Sequence, residues 1–224
     1  MNRRSLLLGL SGTALLATAG LTLLRPGAQD GIWASPALAD EAPADGAAPE
    51  LLPDIAMGSP DAPITLIEYA SYTCGHCAHF HETVFKPLKK DYIDTGKVRF
   101  ILREAYFDGA GLWAAQVARC GGDLKYYGIS SILFAEQHDW IGDGTPQTMG
   151  ANLRKIGLRA GLTAEQIDTC LNDNDMAQRM VMTYQTHFTA DGIEGTPTLM
   201  INGKKHNNMG YDALKKILDA ELAG

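Results

Sequence analysis

The chain has no excess of positive charge: 19 Lys and Arg stand against 26 Asp and Glu, for a formal net charge of −7 at pH 7. Nucleic-acid binding draws on a cationic face, so that class of partner is set aside. There is no internal repeat and no low-complexity core, which excludes a repeat array and a disordered body. Hydrophobic residues make up 46%, an ordinary globular share. A length of 224 residues allows one core with an elaboration, or two small domains. A strongly apolar run is also lacking at the N-terminus. The stretch from Leu6 to Leu24 is diluted by Gly9, Gly12, Gly20, Ser11, Thr13, Thr18 and Thr22, which suits removal better than permanent anchoring.

That stretch follows Arg3 and Arg4, and Ala37-Leu38-Ala39 supplies an A-x-A cleavage site before Asp40. Residues 1–39 therefore read as a signal peptide, with an uncleaved anchor of similar length as the alternative. Both export the body of the protein. The paired arginines permit a twin-arginine route, and Sec against Tat stays open. Residues 40–62, rich in Ala, Pro and acids, read as an N-terminal tether with one short strand near its end.

What is present begins with Cys74-Gly75-His76-Cys77. The preceding run Ile64-Thr65-Leu66-Ile67-Glu68-Tyr69-Ala70 fits a central strand covered on both faces. From Gly75 onward Phe80, Val84, Leu88 and Tyr92 recur every fourth residue, the pattern of a helix, in which Pro87 removes one donor and predicts a kink. Cysteines three apart at a helix start share a face with Cα atoms about 5–6 Å apart, within disulfide range. The helix N-terminus favours a thiolate at Cys74. Zinc sites use the same spacing, but a buried strand before the motif and a helix after it point to thiol–disulfide exchange.

Export lets all four cysteines persist as disulfides. Three pairings exist in principle; local geometry favours Cys74–Cys77, which leaves Cys120 and Cys170 either bridged or as two buried free thiols. Cys120 ends a helical run that stops at Gly121-Gly122, and Cys170 lies in a helix opened by the capping box Thr163-Ala164-Glu165-Gln166.

Further along, Gly192 to Gly203 holds a Thr196-Pro197 step, a short apolar strand and a hairpin turn at Asn202-Gly203. Taken alone, Pro197 is expected trans. Val98-Arg99-Phe100-Ile101-Leu102 reads as another strand, and Asp212 to Leu222 as an amphipathic closing helix. Helices are predicted near 112–120, 124–136, 147–160, 164–171 and 175–190.

Together these features resemble the DsbA family of bacterial periplasmic thiol oxidases. The resemblance rests on Gly58-Ser59-Pro60-Asp61-Ala62-Pro63, Glu68-Tyr69-Ala70-Ser71, the Cys-Gly-His-Cys motif, the helical region and Gly195-Thr196-Pro197, and it covers roughly residues 58–224. It implies an α/β, thioredoxin-like fold with an inserted all-helical subdomain. The thioredoxin-like domain would be residues 63–107 and 190–224, and the insert residues 108–189. The nearest branch carries an extra cysteine pair in the helical subdomain, which Cys120 and Cys170 match as a structural disulfide. The resemblance implies Cys74 as nucleophile and Cys77 as resolving thiol. It gives His76 the task of stabilising the thiolate, and makes Glu68 a buried acid beneath the site. Thr196 and a cis Pro197 would face the cysteines. The chain departs from the best-known oxidases at Gly75, where they carry proline, and at Thr196, where the most oxidising members carry valine.

The expected function is a periplasmic, monomeric oxidoreductase that introduces disulfides into unfolded or reduced exported proteins. A membrane DsbB-type, quinone-linked partner would reoxidise it, and neither cofactor nor metal is called for. An isomerase or reductase of the same fold is the alternative, or a copper-binding delivery protein using His79 and His81 beside the thiolates. Met176, Met180 and Met182 are expected to pack the insert, and Trp113 and Trp140 to lie in the core or at a groove edge.

Overall fold

The structure is a computed structural model and describes residues 50–224. The expected signal peptide over residues 1–39 lies outside the described residues. Five strands form one mixed sheet: β1 (Ala56–Met57), β2 (Ile64–Ala70), β3 (Val98–Glu104), β4 (Thr198–Ile201) and β5 (Lys204–Asn207), in the order β1-β3-β2-β4-β5. β2 runs parallel to β3, with Ile64 opposite Val98 and Ala70 opposite Glu104; the remaining pairs are antiparallel. Central placement explains why β2 lacks clean alternation. Ile64 and Leu66 are fully buried, and so is the one acid among them, Glu68.

After β2 comes one unbroken helical run, here α1, built from Gly75–Phe80, His81–Phe85, Lys86–Leu88 and Lys89–Ile93. The expected disturbance at Pro87 takes the form of widened turns. The stretches on either side, His81–Phe85 and Lys89–Ile93, shift to i→i+5 bonding, which accommodates the missing N–H.

Six helices lie between β3 and β4: α2 (Gly109–Cys120), α3 (Asp123–Ala135), α4 (Gln137–Ile141), α5 (Pro146–Arg159), α6 (Ala164–Leu171) and α7 (Asn174–Ala190). The closing helix α8 spans Tyr211–Ala223. Caps set the starts: Asp108 accepts from the Gly111 N–H, and Thr163 and Gln166 form the reciprocal capping box. The five-residue α4 is too short for a periodic signal in sequence. Tertiary packing holds it, because Trp140 is buried and its indole N–H donates to the Leu133 carbonyl at 2.8 Å. Of the three methionines expected to pack this region, Met180 is buried while Met176 and Met182 are half-covered.

Residues 50–57, read from sequence as part of a tether, do not hang free. Leu52 and Ile55 are buried, the Leu52 N–H donates to Thr183 Oγ1 at 2.9 Å, and β1 pairs with the edge of β3. Apolar residues spaced among prolines and acids carry little periodicity, so only the docked partner reveals them. Gly58 closes this segment at φ +96°, and a Cβ there would come within 2.6 Å of the Val98 carbonyl oxygen. The turn into β2 therefore admits only glycine without rearrangement.

A buried ion pair joins the sheet to the helices. Glu104, at the end of β3, receives the Arg119 guanidinium from α2 and the Tyr126 hydroxyl from α3 at 2.7 Å. A buried carboxylate is tolerated only when such donors replace its hydration. Next to Arg119, Cys120 is joined to Cys170 by a disulfide with Cα atoms 5.8 Å apart, tying α2 to α6 across 50 positions of sequence. Closing a loop of that size stabilises by about 4 kcal/mol in the chain-entropy model. The double variant Cys120→Ala/Cys170→Ala is expected to melt several degrees lower, roughly 2–4 °C per kcal/mol for a protein this long. Calorimetry of the two proteins checks this, and equal melting temperatures would refute it.

Candidate active site

β2 ends at Ala70, and the chain turns through Ser71-Tyr72-Thr73 into α1. The turn is braced from two directions. The Cys74 N–H donates to the Ser71 carbonyl at 3.1 Å, and the Thr73 hydroxyl donates to Asp108 Oδ2 at 2.7 Å, at the start of α2. From the other side, the Gln137 side-chain amide donates to the carbonyls of Tyr72 at 2.7 Å and Cys74 at 3.0 Å. Cys74 then occupies the N-cap in extended conformation, with no side-chain cap competing for the first N–H groups of the helix.

The two sulfurs sit in opposite environments. Cys74 is half-buried, flanked by exposed Gly75 and His76, whereas Cys77 is completely buried one turn deeper. Both thiols are free, so this is the dithiol form. Hydrogen bonding from the Cys77 thiol, aided by the Thr196 hydroxyl and the N–H groups of Cys77 and His76, overcomes burial and lowers the Cys74 pKa to about 5. His76 thus acts on Cys74 through its backbone N–H. Cys77 moves the other way: its bond to Cys74, its burial and the nearby charge of Glu68 push its pKa far above the usual thiol range.

Facing the pair is the loop before β4. The Thr196-Pro197 peptide bond is cis, and the Cys74 thiol donates to the Thr196 carbonyl at 3.5 Å. The loop is held from behind: Tyr69 and Arg103 both bond Asp191, which ends α7 just before it, and Arg103 also pairs with Asp54. Sequence reasoning without the resemblance takes Pro197 as trans, the statistical default that a fixed tertiary contact overrides.

Beneath the cysteines, Glu68 has a partner in His81, which the sequence offered only as a candidate copper ligand. His81 Nε2 lies 2.9 Å from Glu68 Oε2, and the imidazole stacks on Phe134 with ring centroids 3.8 Å apart. Both side chains are buried, and among the described residues Glu68 Oε1 and His81 Nδ1 have no hydrogen-bond partner. One signal was present in the sequence: His81 follows Cys77 by four positions, and so shares its inward helix face. His79 points instead to the exposed side. Among the described residues, no group of three or more His, Cys, Asp or Glu is placed to hold a metal ion. A groove of about 510 Å³ runs beside α1 from Gly75 past Phe85, lined across by Phe134, Gln137 and His138.

A dithiol at the start of a helix, after a central parallel strand and opposite a cis-proline loop, is a redox-site geometry, and comparison with known proteins agrees. The family model described as thioredoxin matches residues 50–220. The chain belongs to the thioredoxin family. Among solved structures, it is similar to alpha-DsbA1 of Wolbachia pipientis, with a TM-score of 0.71 and 29% identity over 76% of this chain and 92% of that one. BdbD of Bacillus subtilis in its oxidised form gives a TM-score of 0.67 at 26% identity, covering 76% of this chain and 94% of that one. Among curated sequences, a Rickettsia typhi protein named provisionally as a protein-disulfide oxidoreductase is 31% identical over 170 residues. That match takes in 75% of this chain and 62% of the Rickettsia protein, so the chain spans under two thirds of that relative's length. Disulfide bond formation protein D of Bacillus subtilis is 29% identical over 75% of this chain and 77% of that protein.

The contrast between the two sulfurs has a direct readout. In the reduced protein, thiolate absorbance is expected to rise with a midpoint near 5 from Cys74 alone, while Cys77 contributes no thiolate until strongly alkaline pH. Cys77→Ala removes the donating thiol and is expected to raise the Cys74 midpoint above the wild-type value. A wild-type Cys74 midpoint near the free-thiol value of about 8.5 would refute the electrostatic account.

Proposed function

We propose that this protein is an exported thiol:disulfide oxidase of the DsbA type, working in the periplasm as a monomer on reduced, unfolded exported proteins. The observation that carries this reading is the thiolate-favouring setting of Cys74 beside a buried Cys77. A stabilised thiolate stabilises the reduced form, and a disulfide whose reduced form is stable is a good oxidant. The DsbA and disulfide-bond-formation names of the relatives support the same class of reaction.

The reaction follows from the two environments. In the oxidised protein, a substrate thiolate attacks Cys74 Sγ, the accessible sulfur; the Cys74–Cys77 bond breaks and Cys77 leaves, taking up a proton. A second substrate thiolate then attacks the substrate sulfur of the mixed disulfide. Cys74 departs as the thiolate its surroundings favour, and two electrons have passed from substrate to protein. The backbone of Thr196, held beside Cys74 by the cis Pro197 loop, offers an extended substrate chain its hydrogen-bonding groups. Glu68 and His81 form the polar floor below Cys77. Gly75 leaves the face of the motif open, and Cys120–Cys170 braces the helical subdomain between residues 108 and 189. A membrane DsbB-type, quinone-linked oxidant would return the dithiol to the disulfide.

Role assignment is tested by single variants. Cys74→Ser is expected to abolish dithiol oxidation, whereas Cys77→Ser accumulates mixed disulfides with reduced client proteins, visible on non-reducing gels. Equal trapping by both variants, or activity retained in Cys74→Ser, would reverse the roles.

The direction of the chemistry is tested by stability against pH. The folded pKa of Cys74, about 5, lies below its ordinary value of 9.0, so its contribution to the reduced form is lost as pH falls toward 5. Cys77, raised on folding, opposes any further gain once pH passes its own ordinary value of 9.0. The reduced protein is therefore expected to melt above the oxidised one at pH 7 and 8, with the gap closing as pH approaches 5. An oxidised form that is the more stable at pH 7 would make the protein a reductant instead.

A further inference from the structure

We propose that Gln137, on the short helix α4, is a positioning residue for the nucleophile, acting through the backbone of the active-site turn. This inference rests on the dithiol chemistry proposed above. A side-chain amide has two N–H donors, and both of those on Gln137 are committed to the turn, one to the Tyr72 carbonyl at 2.7 Å and one to the Cys74 carbonyl at 3.0 Å. These carbonyls bracket the last residues before the helix. The Cys74 carbonyl already accepts from the N–H groups of Cys77 at 3.0 Å and Ala78 at 3.1 Å, which makes it the first acceptor of α1.

The consequence is geometric. The N–H groups of His76 and Cys77 favour a thiolate at Cys74 only while they point at its sulfur. Their direction is set by the orientation of the first helical turn, and nothing on the Cys74 side chain caps that turn. Gln137 clamps it by holding the carbonyls of residues 72 and 74 at a fixed separation. The clamp itself is stiff, because α4 is anchored by buried Trp140 and by Asn152, whose side-chain amide donates to the Asp139 carbonyl at 3.1 Å. With Asp108 holding Thr73 from α2, the turn is gripped from two helices of the inserted region. This gives those helices a part in setting the reactivity of a sulfur carried by the strand–helix unit.

Gln137→Met keeps the length and removes both donors. It is expected to raise the thiolate midpoint of Cys74 by roughly one unit or more, and to slow alkylation at pH 4, below the wild-type midpoint, by about tenfold, one pKa unit being a tenfold change in thiolate fraction there. Gln137→Glu, which turns acceptors toward two carbonyls, is expected to shift the midpoint in the same direction, and it serves in place of Gln137→Met should that variant not fold. Cys120→Ala/Cys170→Ala is the comparator: it lowers the melting temperature without touching the turn, and its Cys74 midpoint should match wild type. A wild-type midpoint in the Gln137 variants, whatever their melting temperature, would overturn the proposal and leave Gln137 as scaffolding. A lowered midpoint would overturn it as well. The titration requires no substrate, so it can fail while Cys77→Ser still traps clients, and the two readings are judged separately.

Discussion

Everything distinctive in this protein depends on keeping two neighbouring sulfurs in different solvents. Cys74 stands at the open end of a helix, where unpaired N–H groups favour negative charge, while Cys77 is sealed one turn further in. Each sulfur reinforces the other: the buried thiol donates to the exposed thiolate, which lowers one pKa and raises the other. No single residue produces this. It requires a strand that delivers the chain to the surface, a helix that begins at once, and a packed layer over the second cysteine.

The supports around the site share a logic. Glu68 with His81, Glu104 with Arg119, and Asp191 with Tyr69 and Arg103 all place a carboxylate against donors from a different element. Where such a contact is buried, as at Glu104 and Glu68, it is a weak source of net stability but costly to break, since a widowed partner is left desolvated. They therefore act as locators: the first sits under the cysteines, the second joins the sheet end to the helices, and the third holds the loop that carries Thr196 and Pro197.

Much of the architecture was legible in advance because it is written in short-range signals. The strand from Ile64 to Ala70 is a continuous apolar run around one acid, the hairpin after Ile201 is marked by Asn202-Gly203, and the closing helix has a clear amphipathic stripe. The helix start at Thr163 carries its capping box in sequence, whereas the one capped by Asp108 begins three residues before the predicted start near 112. Three features were not legible. α4, five residues long, is shorter than the stretch over which a helical period can be read. Residues 50–57 dock through scattered apolar side chains. His81 carries no mark of burial beyond its spacing from Cys77.

By itself, the sequence determined the order of the main elements apart from α4, the placement of a dithiol at a strand-to-helix junction, and the class of chemistry that such a junction supports. These follow from local periodicity, capping and the reach of a Cys-x-x-Cys turn, all settled within a few residues of chain. The resemblance placed Thr196 opposite the cysteines, but only tertiary structure brought its carbonyl to the Cys74 thiol across 122 residues and the Gln137 amide to the Cys74 carbonyl across 63. Tertiary structure also settled the partner of Glu68. Desolvation and hydrogen-bond geometry depend on what packs from a distance, and those contacts add to the local Cys77 and helix N–H groups in setting the Cys74 pKa.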